Sequence, residues 1–307
     1  MTRPHRSAGF VLVNALVLVA AMAAAAVLLL SRAESGRMRL SAAQEADVLT
    51  SGLAAYEAYG RAVLMRDLRS GGLDTLDDAW ASDVAEVPLA RGVVSGRISD
   101  QQGLFNVNWL ADPVNVAARE GFNRLLSRLS IPKQVGDDIA AFVSPQGLGS
   151  TAGFDAATPP IAPLGGPILM VEQLAAIPAL SPETLALLQP HIAALPGDST
   201  VNINTATFDT LAAALPGVSD GRLRTALQSR RKEPFGSVDT FFQELGLAVQ
   251  PEDPDAPNPG NFSVSSNWFL AEITAQDGDR RATRLVLYRR IGLLNGINVE
   301  WRVSRYD

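Results

Sequence analysis

Any chemistry in this chain must come from oxygen and nitrogen side chains, because it has no cysteine and only two histidines, His5 and His191. A thiolate nucleophile, a disulfide framework and a cysteine zinc site are excluded. The histidines do not suit a joint metal site. His5 stands in a short leader, and His191 lies in Leu187-Leu-Gln-Pro-His-Ile-Ala-Ala-Leu195, an apolar, helix-like setting that suits a structural histidine better than a base. One group of oxygen donors could serve a hard cation such as Ca²⁺. Glu252, Asp253, Asp255 and Asn258 fall in a Pro-rich acidic stretch, 251–260. This stretch reads more simply as a solvated linker. There is no phosphate-cradling Gly loop and no metalloprotease helix. No catalytic constellation results: neither an enzyme nor a cofactor is expected, and calcium is the one metal the residue types admit.

The basic residues raise a different chemistry. Leu215-Pro-Gly-Val218 separates two apolar-periodic segments, with Ser219 or Asp220 placed to cap the second. Asn202-Ile-Asn-Thr-Ala206 reads as the opening of the first, and Val171–Leu185 as an earlier helical hairpin. This resembles the helix-hairpin-helix motif, which binds nucleic-acid backbones, so a membrane-anchored DNA receptor of the competence type is the rival reading. Charge argues against it. Over 166–246, Arg222, Arg224, Arg230, Arg231 and Lys232 face Glu172, Glu183, Asp198, Asp209, Asp220, Glu233, Asp239 and Glu244, and the whole chain carries a net charge of −6. Phosphate binding draws its affinity from positive charge, so these hairpins are read as packing units with no nucleic-acid partner.

The element that must position everything else is N-terminal. Phe10–Leu30 is uncharged, with Asn14 its only polar side chain. Roughly 20 such residues cross a bilayer as a helix. A secretory signal, an uncleaved anchor with Arg3 and Arg6 inside, and cleavage between Gly9 and Phe10 all fit. The third has a family behind it: a short basic leader ending in Gly, then Phe, then a long apolar helix, resembles a type IV prepilin leader. That resemblance implies removal of 1–9 by a prepilin peptidase, methylation of Phe10, and a helix (Phe10, Asn14 and Leu16 on it) that packs in membrane and filament alike. Such proteins usually carry Glu where this chain has Asn14. That Glu is held to neutralise the terminal amine of the subunit above, and a subunit with nothing above it does not need one.

From Ser31 to Arg69 no Pro intervenes and strong helix formers dominate. Leu40, Ala43, Leu49, Leu53, Tyr56, Val63 and Leu64 fall near one face, so 10–69 is expected as one helix ended by Gly71-Gly72. Gly36, Gly52 and Gly60 leave kinks open. Residues 92–110 read as two short strands joined by Asp100-Gln-Gln-Gly103, a solvent-facing hairpin with Asn106 and Asn108 on its polar side. Residues 114–143 return to helical spacing. After the 251–260 linker come three strand-like runs, with Asp277-Gly278 a hairpin turn.

The expected fold is α+β: a pilin-like long N-terminal helix packed on an antiparallel sheet, with a large all-α insertion containing helix-hairpin-helix turns. The expected divisions are a leader (1–9), the helix (10–70), a β subdomain (71–112 with 261–307), an inserted helical domain (113–250) and the linker (251–260). This order resembles the minor pseudopilin K family of bacterial type II secretion systems, through the leader, Asp100–Leu110, Val201–Ala206 and Phe262–Phe269. The resemblance implies a single-pass inner-membrane protein with its head in the periplasm, at the tip of the pseudopilus. Its implied partners are I- and J-type minor pseudopilins, an H-type subunit, the major pseudopilin, the prepilin peptidase and secreted proteins. The resemblance also admits calcium binding near the insertion, for which Asp137, Asp138 and, in the 144–167 loop, Asp155 are the available carboxylates, a poor set for a calcium loop.

Overall fold

The computed structural model describes residues 7–82, 84–144, 152–156, 158–160, 162–247 and 257–306. The acidic residues of the expected linker, Glu252, Asp253 and Asp255, lie outside the described residues. The elements in chain order are α1 (Ser7–Ser70), β1 (Val84–Pro88), β2 (Val93–Asp100), β3 (Phe105–Asn106), α2 (Val116–Arg128), α3 (Lys133–Val143), α4 (Ala152–Asp155), α5 (Pro182–Leu188), β4 (Ile192–Ala193), β5 (Val201–Asn202), α6 (Phe208–Ala214), α7 (Asp220–Lys232), α8 (Val238–Glu244), β6 (Phe262–Ser263), β7 (Trp268–Asp277), β8 (Arg280–Gly292) and β9 (Gly296–Tyr306), with short 3₁₀ turns between them.

One unbroken helix of 64 residues opens the chain, about 96 Å long at 1.5 Å per residue. It has two halves of different chemistry. From Phe10 to Leu30 its apolar side chains are exposed all round, and the run meets the length and hydropathy of a membrane span. From Leu49 onward it buries one face: Leu49, Leu53, Tyr56 and Leu64 pack against Val94, Ile98, Phe269, Ala271, Ile273, Val286 and Tyr288 of the sheet. Leu40, expected on this face, is exposed instead, because the packed contact begins about two turns further on. Gly52 and Gly60 do not interrupt the helix and lie on its buried side.

The sheet is antiparallel, in the order β1-β2-β7-β8-β9. Strand alternation places Phe269, Ala271 and Ile273 toward α1 and Leu270 and Leu287 toward the opposite face, where they meet Ala193, Leu195 and Trp301. The turn after Asp277 forms as expected, with Gly278 at φ 59°. Gly96 lets α1 lie this close. A Cβ there would stand 2.8 Å from the Tyr56 ring and 2.6 Å from the Glu272 carbonyl oxygen.

The insertion has two cores. The first gathers Phe105, Val107, Leu110, Phe122, Leu125, Ile139, Phe142, Phe154, Leu174 and Ile192. The second gathers Val201, Ile203, Leu211, Leu223, Phe241, Phe242 and Phe262. Residues 105–111 and 262, expected with the β subdomain, thus pack in the helical block, moving its limits outward from 113 and 250.

The hairpin expected over 92–110 does not form. β2 pairs with β1 and β7, whereas Phe105-Asn106 runs parallel to Ile192-Ala193. Of the helical hairpin expected over 171–185, the first limb is a 3₁₀ turn, Val171–Ala176, before α5. The turn at Leu215–Val218 joins α6 to α7, and Ser219 caps α7 by accepting from the Arg222 amide.

Gly96→Ala is expected to destabilise the head by about 1–3 kcal/mol through overpacking, whereas Gly36→Ala, with open space around it, is expected to cause no loss. Thermal melts of the purified variants, followed by circular dichroism, measure both.

Candidate functional site

The positions that looked like a polar strand face form the buried junction between sheet and helical block. Asn106 accepts from the Asn108 and Leu195 amides at 3.0 Å each, and donates to the Pro196 carbonyl and Ser199 hydroxyl at 2.9 Å each. Asn108 accepts from the Ile168 amide at 2.9 Å and donates to the carbonyls of Ile168 and Leu195 at 2.9 and 2.8 Å. Each carboxamide stands in for the missing peptide partners of an irregular segment, which is how a buried loop backbone stays hydrogen-bonded. Alternation with Phe105, Val107 and Trp109 mimics an amphipathic strand, but both asparagines are buried.

The second Asn-x-Asn pair repeats the device. Asn204 bridges to Phe235, donating to its carbonyl at 3.0 Å and accepting from its amide at 2.9 Å. Asn202 accepts from the Asn204 amide at 2.9 Å, and its NH₂ faces the Asp74 carbonyl, the Asp100 carboxylate and the Ser266 hydroxyl at 3.1, 3.2 and 2.9 Å. Asn204 and Thr205 therefore do not open α6; Thr207 caps it.

Asp100 is the centre of this junction. It accepts from the Gln102 amide at 2.8 Å, from Asn202, and from the hydroxyls of Thr205 and Ser266. Burial pushes its carboxyl above the ordinary value, and the four donors oppose that rise. Beside it, Asp74 accepts from the Ser266 amide at 2.7 Å and pairs with Arg290 at 2.5 Å. Arg290 also pairs with Asp67 near the end of α1 and lies over the Phe269 ring at 4.4 Å. Burial pushes Asp67 and Asp74 upward, and the Arg290 guanidinium counteracts it in both.

The carboxylates considered as calcium ligands have these surroundings. Asp137 is in an ion pair with Lys133 at 2.8 Å, Asp138 accepts from Gln134 at 3.0 Å, and Asp155 is exposed at the end of α4. Among the described residues, the carboxylates with mutually close oxygens are Asp67, Asp74 and Asp78. There Arg290 supplies the cation, while Thr75 and Trp80 donate to Asp78. This donor set is suited to a guanidinium.

Two of the basic residues of the α6–α7 hairpin are spent on backbone carbonyls. Arg230 donates to the carbonyls of Ile203 and Ala206 at 2.7 and 2.9 Å, and Arg222 to that of Leu245 at 3.2 Å. Burial, with Arg231 adding repulsion, lowers the Arg230 guanidinium to about 10. Arg224 sits beside Asp220 at 3.6 Å. His191 lies 3.6 Å from Asp209, which Arg128 also holds at 2.9 Å.

Two surfaces follow from this geometry: the exposed apolar half of α1, which carries Phe10, Asn14 and Leu16, and a head whose helical block is fastened at the other end of the same helix. Asp74 and Arg290 escaped the sequence reading because an isolated acid or an arginine in an alternating strand carries no spacing signal, and Asp100 reads there only as a turn residue. The repeated Asn-x-Asn was visible, and its signal was misassigned to a surface.

The chain is similar to known proteins in sequence and in fold. Two family models, both described as type II secretion system (T2SS) protein K, match residues 103–197 and 201–265, close to the limits of the two cores. The chain is 29% identical over 246 aligned positions to type II secretion system protein K of Pseudomonas aeruginosa, covering 73% of this chain and 71% of that protein. It is 26% identical over 337 aligned positions to its namesake from Aeromonas hydrophila, covering 94% and 97%. In fold it is similar to a chain from the crystal structure of the GspK-GspI-GspJ complex of enterotoxigenic Escherichia coli, with TM-score 0.71 and 22% identity over 87% of this chain and 99% of that one.

Asp100→Asn places an NH₂ among donors and is expected to cost about 1–3 kcal/mol. Because the folded carboxyl titrates above its ordinary value, the native state binds its proton more readily than the unfolded chain does. The wild type therefore gains stability as pH falls through that folded value. The stability gap between wild type and Asp100→Asn is expected to widen from pH 7 toward pH 4, as read by denaturant titration at each pH.

Proposed function

This chain belongs to the type II secretion system protein K family, the minor pseudopilins, and from that premise we propose that it occupies the tip of the pseudopilus. There it starts or caps assembly for the export of folded proteins across the outer membrane. The observation that carries this reading is the position of the helical block. It is fastened through Asp74, Asp100 and Ser266 beside Asp67, at the end of α1 remote from the apolar run. A shaft subunit must leave room there for the next subunit, and a bulky block suits the last position. Asn14 agrees with it, since a terminal subunit has no amine above it to neutralise.

On this reading Phe10–Leu30 is parked in the inner membrane with the head in the periplasm, until the helix moves into the filament. Its all-round apolar exposure suits both surroundings, lipid first and neighbouring helices afterwards. The partners follow: the prepilin peptidase cutting between Gly9 and Phe10, the I- and J-type minor pseudopilins with an H-type subunit nearby, the major pseudopilin below, and secreted proteins in passing. The DNA-receptor alternative is not favoured, because Arg222 and Arg230 of the hairpin are already hydrogen-bonded to carbonyls and carboxylates outnumber the basic residues over 166–246.

Mass analysis of the chain from bacterial membranes is expected to give a protein that begins at Phe10 and carries one added methyl group; an intact Met1 overturns prepilin processing. Asn14→Glu is expected to leave secretion close to wild type in a strain lacking the natural copy, measured as exported protein. Loss of secretion as severe as in the deletion strain overturns the tip assignment.

A further inference from the structure

The five-stranded sheet ends in two unlike edges. β1 has 5 residues, a register shift between Val84 and Val87, and a closing Pro88 that offers no N–H; edges built this way resist added strands. β9 has 11 residues, contains no proline and pairs only with β8 among the described residues. Its register shifts opposite Leu287 and Tyr288, so Trp301–Tyr306 is the regular stretch. An edge of this length presents unpaired N–H and C=O groups, a template for another strand.

Charge selects the occupant. In a chain of net charge −6, the stretch 280–306 is rich in arginine, with Glu300 its only carboxylate. Arg280, Arg284, Arg290 and Arg302 are held by Glu45, Glu57, Asp67 and Asp74. Arg281 meets only the Thr274 hydroxyl, at 3.4 Å, and Arg305 makes no ion pair among the described residues. Both line a cleft of ≈ 670 Å³ between β8–β9 and the 170–189 segment, together with Leu285, Val303 and two carboxylates that already have partners, Glu272 with Arg97 and Glu172 with Gln189. A second copy of this chain would bring the same arginines to the same edge, and like charges oppose that pairing.

Resting on the pseudopilin reading, we propose that β9 is the docking edge for an extended, carboxylate-bearing segment of a neighbouring minor pseudopilin head. The segment adds as a sixth strand along Trp301–Tyr306, and its acidic side chains reach Arg281 and Arg305 across the cleft. Subunits that pack their α1 helices side by side bring sheet edges laterally together, so this edge faces a neighbour in such an assembly.

The test uses the full chain in detergent, mixed with the full-length I- and J-type minor pseudopilins of the same system. Hydrogen exchange is followed at the amides of 301–306, and affinity is measured for wild type, for the Arg281→Glu/Arg305→Glu double variant, and for Arg231→Glu as a charge control on the helical block. In the wild-type complex the edge amides are expected to exchange at least ~10-fold more slowly. The double variant is expected to bind at least ~10-fold more weakly with an unchanged melting temperature, and Arg231→Glu to bind as wild type. A complex that forms with unchanged exchange along β9, or that holds the double variant as tightly, overturns the docking edge and leaves the pseudopilin reading standing. Failure of wild type to bind either partner overturns the partner reading and the docking edge with it.

Discussion

A carboxylate buried without a cation against it persists only where donors converge on it. Asp100 is held by the Gln102 amide, the Asn202 carboxamide and the hydroxyls of Thr205 and Ser266. The donors come from three chain segments, the farthest 166 positions away. Satisfying one charge therefore fixes the end of β2, the start of the second helical core and the entry to β7 at one point. Asp74 extends the arrangement by bonding Ser266 and Arg290, and Arg290 reaches Asp67 on α1. Loss of one member would remove a partner from neighbours that stay buried, which costs stability.

The packed half of α1 uses a second such device. Glu57 pairs with Arg284 at 3.0 Å and Arg302 at 2.9 Å, and its carbonyl accepts from the Tyr288 hydroxyl at 2.9 Å. Apolar packing with Leu53 and Leu64 presses the helix to the sheet, and Glu57 fixes its position along the strands. Among the described residues, the other half of the helix has no such partner. Its stripe is apolar on all sides, as a membrane span requires, whereas an amphipathic stripe appears only where the sheet begins.

Much of this was legible in the sequence for a simple reason: α1, β7, β8 and the α6–α7 turn are local patterns. Helical period, strand alternation, Asp277-Gly278 and Leu215-Pro-Gly-Val218 each act within a few residues. The junction is long-range, and its residues have ordinary neighbours. Asn106 and Asn108 satisfied the rule for a half-exposed strand, and only their tertiary partners, Pro196, Ser199, Ile168 and Leu195, reverse that reading. Asn204-Thr205 misled in the same manner, since Asn and Thr cap helices and also bridge loops. The glycines of α1 were ambiguous because Gly serves kinks and close contacts alike, and packing against the sheet decides between them.

Together these contacts form one mechanical path. A displacement of α1 is transmitted to the strands through Glu57 with Arg284 and Arg302, and again at the helix end through Asp67 with Arg290. From Arg290 it passes through Asp74, Ser266 and Asp100 to Asn202 and the second helical core. Every link is a hydrogen bond or ion pair between groups wholly or partly removed from water, where such contacts are stiffer and costlier to break than at a surface. The helical block is therefore held by the same contacts that end the long helix. A subunit built this way ties the direction of its long helix to its helical block through buried contacts that are costly to break.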